Sequence, residues 1–163
     1  MAALYFHIPF CKRLCGYCDF LRSVKLQHIP QVVEKMHEEL EQQSGFLTDK
    51  KIKTIYFGGG TPSLLHPSEI ERFIRHAEQI FDCTEVEEIT VEVNPDDIVE
   101  KGEAYVEGLL HLGVNRISMG VQSFDDEILR WMNRRHDSAA AREAYAILER
   151  AGVPDISVDL IFG

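Results

Sequence analysis

Three cysteines, Cys11, Cys15 and Cys18, fall within eight residues of the segment HIPFCKRLCGYCDF, spaced C-x3-C-x2-C. Thiolates this close in sequence can grip one inorganic centre, and three of them leave a four-ligand site one short. Iron–sulfur cubes are ordinarily held by four Cys thiolates. A three-Cys loop with no fourth Cys nearby therefore points to a 4Fe–4S cluster with one iron left open to a reacting ligand. Zinc is the competing reading. Cys3His zinc sites use similar spacings, and His7 or His28 is close enough in sequence to complete one. Structural zinc usually draws on two separated knuckles, however, and no second Cys pair follows. A disulfide scaffold does not suit an acidic chain with only four Cys. Cys83, alone in FDCTEVEE, reads as an ordinary, partly buried thiol.

Other chemistry-bearing residues are scattered along the chain. In GGGTP, successive glycines Gly58, Gly59 and Gly60 let backbone approach a ligand closely. A tight strand-to-helix turn explains the same run equally well. It is not a Walker loop, because no Gly-Lys-Ser/Thr follows. Glu92 ends an apolar strand pattern and is either a binding carboxylate or a solvated one. Gln122 and Arg134 are either site residues or surface residues on and after a helix. Asp159 lies in the apolar run DISVDLIF, where burial of a carboxylate demands partners.

These residues need a scaffold, and the chain alternates strand and helix patterns to supply one. Strands are expected at 3–8, 53–57, 88–93, 115–120 and 155–162. Helices are expected over 29–45, with Val32, Val33, Met36 and Leu40 as the apolar stripe and Gly45 as the stop. The next, through Ile70, Phe73, Ile74, Ala77, Ile80 and Phe81, follows the 3.6-residue period. Further helical patterns cover about 102–112, 124–133 and 138–151, the last with Ser138 as N-cap and Gly152 beyond its end. Strand then helix, five times, implies right-handed crossovers and an α/β fold with a parallel sheet. In such folds functional groups gather at the C-terminal strand ends. The Cys loop, GGGTP, Glu92 with Asn94-Pro95, Gln122 and Asp159 all fall there.

Composition narrows the setting. A chain of 163 residues with 45% hydrophobic content fits one domain with a real core. A formal net charge of -10 argues against nucleic acid or an anionic lipid surface as main partner. MAALYFHIPF lacks a basic n-region, and His7 and Pro9 interrupt its apolar run, so neither a signal peptide nor a membrane span is expected. Reduced thiols then imply a cytoplasmic location. The polypeptide stops at Gly163, directly after the last strand pattern, which would leave a bare sheet edge. Residues 1–163 are accordingly expected to be the N-terminal core of a longer protein, its C-terminal domain absent.

LYFHIPFCKRLCGYCDF, YFGGGTPS, VEVNPDD, RISMGVQSFDDEILRWMNRRH and VDLIFG, in that order, resemble radical S-adenosylmethionine (SAM) proteins. Within that superfamily they are most similar to the branch of oxygen-independent coproporphyrinogen III oxidase and the radical SAM haem chaperones. The resemblance implies a partial (βα)6 TIM-like barrel, truncated here after its fifth strand. It implies a 4Fe–4S cluster on Cys11, Cys15 and Cys18, with SAM chelating the fourth iron. Reduction of the cluster would cleave SAM to a 5′-deoxyadenosyl radical, and an electron donor protein would be needed.

The resemblance also assigns positions. Tyr5 and Tyr17 would flank SAM, Tyr17 against its adenine. Gly59, Gly60 and Thr61 would offer contacts to the methionyl end. Glu92 and Gln122 would meet polar groups of SAM, Arg134 its carboxylate, and Asp159 falls on a matched SAM-site position. His7 also matches, without a role. One departure matters: where the oxidases carry a further Cys after the third ligand, this chain has Phe20. That change favours the haem chaperones, which bind haem and pass it to acceptor proteins, over decarboxylation of coproporphyrinogen III.

Overall fold

Alternate residues of a strand point to opposite faces of its sheet, and here the two faces differ sharply in chemistry. The computed structural model describes residues 2–162. Five strands, β1 (Ala2–Ile8), β2 (Ile52–Gly59), β3 (Glu88–Val93), β4 (Arg116–Gln122) and β5 (Asp155–Leu160), pair in parallel in the order β1-β2-β3-β4-β5. On one face Leu4, Phe6, Ile8, Ile55, Phe57, Ile89, Val91, Val93, Ile117, Met119 and Val121 are buried in the main core. The other face carries Tyr5, His7, Tyr56, Thr90, Glu92, Ser118 and Asp159, matched across the sheet by the registers Tyr5↔Tyr56, Tyr56↔Thr90, Glu92↔Ser118 and Gly120↔Asp159. Parallel strands covered on both faces are usually apolar throughout. This sheet is apolar toward its helices and polar on the opposite side, as the wall of a partial barrel requires.

Helices α1 (Ile29–Gln42), α2 (Pro67–Ile80), α3 (Pro95–His111), α4 (Asp126–Trp131) and α5 (Ser138–Arg150) join the strands. The expected stripe of α2 is buried through Ile70, Phe73, Ile74 and Ala77. Its start is fixed by Pro67 in the first turn and by a reciprocal cap: His66 accepts from Ser68 N–H while Glu69 accepts from His66 N–H. In α1, Val33 and Leu40 are buried as expected, but so is His37. The His37 ring stacks on Phe73 at 4.2 Å and its Nδ1 lies 2.8 Å from His76 Nδ1.

Several boundaries differ from the sequence reading, and helix α1 already stops at Gln42 rather than at Gly45. Helix α3 begins at Pro95 rather than near 102, because a proline that ends a strand is equally suited to the first helical turn. Gly102, at φ 70°, then breaks the helix where it was expected to begin. The cap of α5 is Asp137, whose carboxylate accepts from Ala140 N–H at 2.8 Å, and Ser138 is already inside the helix. Strand β5 ends at Leu160, and Asp159 is exposed rather than buried. Gly163 lies outside the described residues. No helix of the described residues is long and apolar enough to cross a membrane.

Candidate functional site

The C-terminal ends of β1 to β5 surround one cavity of about 330 Å³. Of the twelve residues assigned to the cluster or to SAM, eleven line it: Cys11, Cys15, Cys18, Tyr17, Gly59, Gly60, Thr61, Glu92, Gln122, Arg134 and Asp159. Tyr5 does not. It lies three residues below the end of β1, roughly 10 Å down the strand at about 3.3 Å per residue, where it stacks on Tyr56 and its hydroxyl is 3.3 Å from His7 Nδ1.

The Cys loop leaves β1 and is pinned at its stem and tip. Cys11 N–H donates to Ser23 C=O at 3.0 Å and Gly16 N–H to Met132 C=O at 3.1 Å. Two of the three sulfurs have donors aimed at them. Thr61 Oγ1–H reaches Cys11 Sγ at 3.5 Å, and Arg134 Nη1–H reaches Cys15 Sγ at 3.6 Å. Burial pushes the Cys11 thiol up, opposed by the Thr61 hydroxyl. All four cysteines are free thiols, and Cys83 is half-buried against the main core, away from the cavity. Among the described residues no three His, Cys, Asp or Glu side chains are gathered around one point as a single ion would need. Neither His7 nor His28 joins the thiols at the cavity.

The glycine run proves to be required by packing. Gly60 N–H donates to Ile8 C=O at 2.8 Å, and a Cβ there would sit 2.6 Å from Phe10 C=O. Gly59 adopts φ 109°, and its Cα hydrogens face the His7 ring. The loop thus presses on the stem of the Cys loop, and Gly59 N–H is left to donate to Glu92 Oε2 at 3.1 Å. Glu92 Oε1 accepts from Tyr56 O–H at 2.8 Å. Burial pushes the Glu92 carboxyl above the usual range, with the Tyr56 and Gly59 donors pulling the other way.

Arg134 is a brace. Its Nη2 donates to Asn94 Oδ1 at 2.9 Å and to Gly120 C=O, and its Nη1 reaches Tyr17 Oη at 3.4 Å as well as Cys15. Asn94 in turn donates to Thr61 Oγ1 at 3.1 Å. Gln122 ends β4 at φ 69°, a left-handed conformation for a side-chain-bearing residue, beside a register shift in the β4–β5 pairing. Asp159 accepts from Ser118 Oγ–H at 3.2 Å. Tyr56 and Ser118 were not singled out from the sequence, and Asn94 was placed at the rim without a role. Asn94 alone carried a signal, its place in the strand-ending Asn-Pro pair.

Comparison with known proteins agrees with this geometry. The family model described as the radical SAM superfamily matches residues 5–163. Heme chaperone HemW of Lactococcus lactis is 37% identical over 159 residues, covering 97% of this chain and 40% of the relative. Oxygen-independent coproporphyrinogen III oxidase of Salmonella typhimurium is 33% identical, covering 99% of this chain and 35% of the relative. The solved structure of coproporphyrinogen III oxidase (HemN) from Escherichia coli, described as a radical SAM enzyme, superimposes with a TM-score of 0.85 at 30% identity, over 99% of this chain and 37% of that one. The chain therefore spans about 40% of the length of the relatives it matches.

Proposed function

Because this chain belongs to the radical SAM superfamily, which implies a 4Fe–4S cluster and SAM, we propose that Cys11, Cys15 and Cys18 hold the cluster and that the rest of the cavity lining receives SAM. The observation that carries the proposal is the donor set: three thiols of one short loop face a single cavity, with no fourth Cys among its lining residues. The Thr61 hydroxyl and the Arg134 guanidinium aimed at two of the sulfurs suit thiolates. When bound, the cluster supplies the electron for reductive cleavage of SAM.

The side chains divide the remaining work. Tyr17 walls the cavity beside Cys15 and Cys18, and Gly59, Gly60 and Thr61 offer backbone and hydroxyl groups to the methionyl end. Glu92 and Gln122 face the polar groups of SAM. Arg134 contributes positive charge for its carboxylate, although the Nη hydrogens are already turned on protein acceptors. Asp159 offers its carboxylate from the β5 side of the cavity. Tyr5 acts on the SAM site through Tyr56, on which it stacks and which donates to Glu92 nearer the cavity.

For the whole activity we propose a haem chaperone, cytoplasmic and served by an electron donor protein, that binds haem and delivers it to acceptor proteins. Support comes from the heme chaperone relative and from Phe20, an exposed apolar residue on the cavity lining where the oxidases carry Cys. The oxidase relative keeps decarboxylation of coproporphyrinogen III as the second reading. Anaerobically purified protein offered coproporphyrinogen III, SAM and reductant separates them. Stable haem binding without turnover is expected, and formation of protoporphyrinogen overturns the chaperone. For the cofactor, iron and acid-labile sulfide are expected to disappear together in Cys15→Ser. Zinc without sulfide in the parent protein overturns the cluster.

A further inference from the structure

Asp97, in the first turn of α3, is completely buried yet does not line the cavity. An ionised carboxylate removed from water is costly unless it is paired and hydrogen-bonded. Its Oδ1 is 2.8 Å from Lys12 Nζ and 3.5 Å from Arg135 Nη1, and its Oδ2 accepts from Ser63 Oγ–H at 2.9 Å.

Each partner adjoins a residue of the candidate site. Lys12 follows Cys11 directly, Ser63 is two residues past Thr61, and Arg135 follows Arg134. Outer groups steady the same contacts. Glu100 accepts from Lys12 at 2.6 Å, Asp96 pairs with Arg135 at 2.6 Å, and Lys101 Nζ donates to the Ser63 carbonyl. The cations are thereby held on both sides. The three loops have no other shared charged centre in which all of them meet one side chain among the described residues.

We propose that Asp97 is a positioning residue that locks the Cys loop, the glycine loop and the α4–α5 loop into one register, so that cluster thiols and SAM contacts are set before either ligand arrives. This rests on the cofactor reading above and adds to it a residue that touches neither ligand. Preorganisation of this kind acts on affinity, because loop ordering need not be completed on binding.

The test is Asp97→Asn in the whole protein, with Lys12→Met and Ser63→Ala each cutting one tie. Partners that bond metal ligands directly cost about 10- to 100-fold in metal affinity when lost, and Asp97, one contact further out, is expected to act at the low end of that range. SAM titrated into anaerobically reconstituted protein should bind about tenfold or more weakly in Asp97→Asn. Backbone hydrogen exchange on protein without cofactors should accelerate together at residues 11–18, 59–63 and 133–136 while the strand amides stay protected. Unchanged SAM affinity in a folded, cluster-loaded Asp97→Asn protein, with any loss confined to thermal stability, overturns the proposal. Should Asp97→Asn not fold, unchanged loop exchange in both Lys12→Met and Ser63→Ala overturns it instead. Failure of the parent protein to take up iron, sulfide and SAM would reject the cofactor reading, and the exchange measurement would still decide the role of Asp97.

Discussion

Tyr56 and Glu92 stand on neighbouring strands, and the Tyr56 hydroxyl donates to Glu92 Oε1 at 2.8 Å from the side of the sheet that faces away from the helices. The pair places a partly desolvated carboxylate at the floor of the cavity. Burial raises the Glu92 carboxyl, the nearby Asp159 adds to the rise, and the Tyr56 and Gly59 donors oppose it. A carboxyl raised in the folded state destabilises the fold progressively as pH climbs through its folded pKa, and costs nothing below its unfolded value. Relative to the parent, Glu92→Gln should therefore gain thermal stability as pH climbs from about 4.3, the ordinary carboxyl value, toward neutrality. Melting curves of both proteins across that range check it, and a difference that does not change with pH refutes it. The same variant should bind SAM more weakly.

Gly60→Ala should damage the site through backbone rather than side-chain contact. The new methyl would lie 2.6 Å from Phe10 C=O and 2.8 Å from both Ile8 C=O and Phe10 N, none of which is a flexible side-chain end. Overpacking of this sort costs about 1–3 kcal/mol and pushes the glycine loop off the stem of the Cys loop. Lower melting temperature and lower cluster occupancy are expected together. Gly45→Ala is the control, since an added Cβ there meets nothing within 4 Å, and its melting temperature should match the parent.

Strand and helix periodicity made the α/β order and the C-terminal rim readable from the chain, because apolar spacing and the position of a strand end are local properties. The cysteine spacing was equally local. What sequence could not show were pairings between distant residues. Glu92 looked like a possible solvated carboxylate because its partner Tyr56 is 36 positions away. Arg134 looked like a fork for a ligand because Cys15, one of its acceptors, is 119 positions away. The cap of α5 was misplaced by one residue because Asp137 and Ser138 are both good caps, and only the backbone turn at Asp137 decides between them. Asp97 drew no notice within VEVNPDD because the helix was expected to begin near 102 and its partner Ser63 is 34 positions away.

Gln122 separates stability from binding. Its φ of 69° costs about 1–2 kcal/mol for a residue with a Cβ, and its carbonyl is fixed by Ile161 N–H at 2.9 Å. Gln122→Gly removes that strain and should raise the melting temperature while lowering SAM affinity, because the side chain leaves the cavity. Gln122→Ala keeps the Cβ and should lose affinity without the thermal gain. A fall in melting temperature for the glycine variant would count against strain at this position.

His136 governs the acid side. Its Nε2–H donates to Val121 C=O at 3.0 Å, one residue before the left-handed Gln122, while the Nδ1 atom is buried without a partner among the described residues. Burial, reinforced by the Arg134 charge, pulls its pKa down to about 4. The unfolded chain takes up this proton near pH 6.5 but the folded one does not. The neutral ring's stabilisation is therefore complete above about pH 6.5 and is lost as pH falls toward about 4. His136→Gln, which keeps an amide donor for Val121, should flatten the decline in melting temperature between those limits and leave the curve above pH 7 nearly parallel to the parent. An equally steep acid decline in the variant would assign that decline to other groups, His37 first among them, since burial, Arg72 and His76 lower its pKa as well.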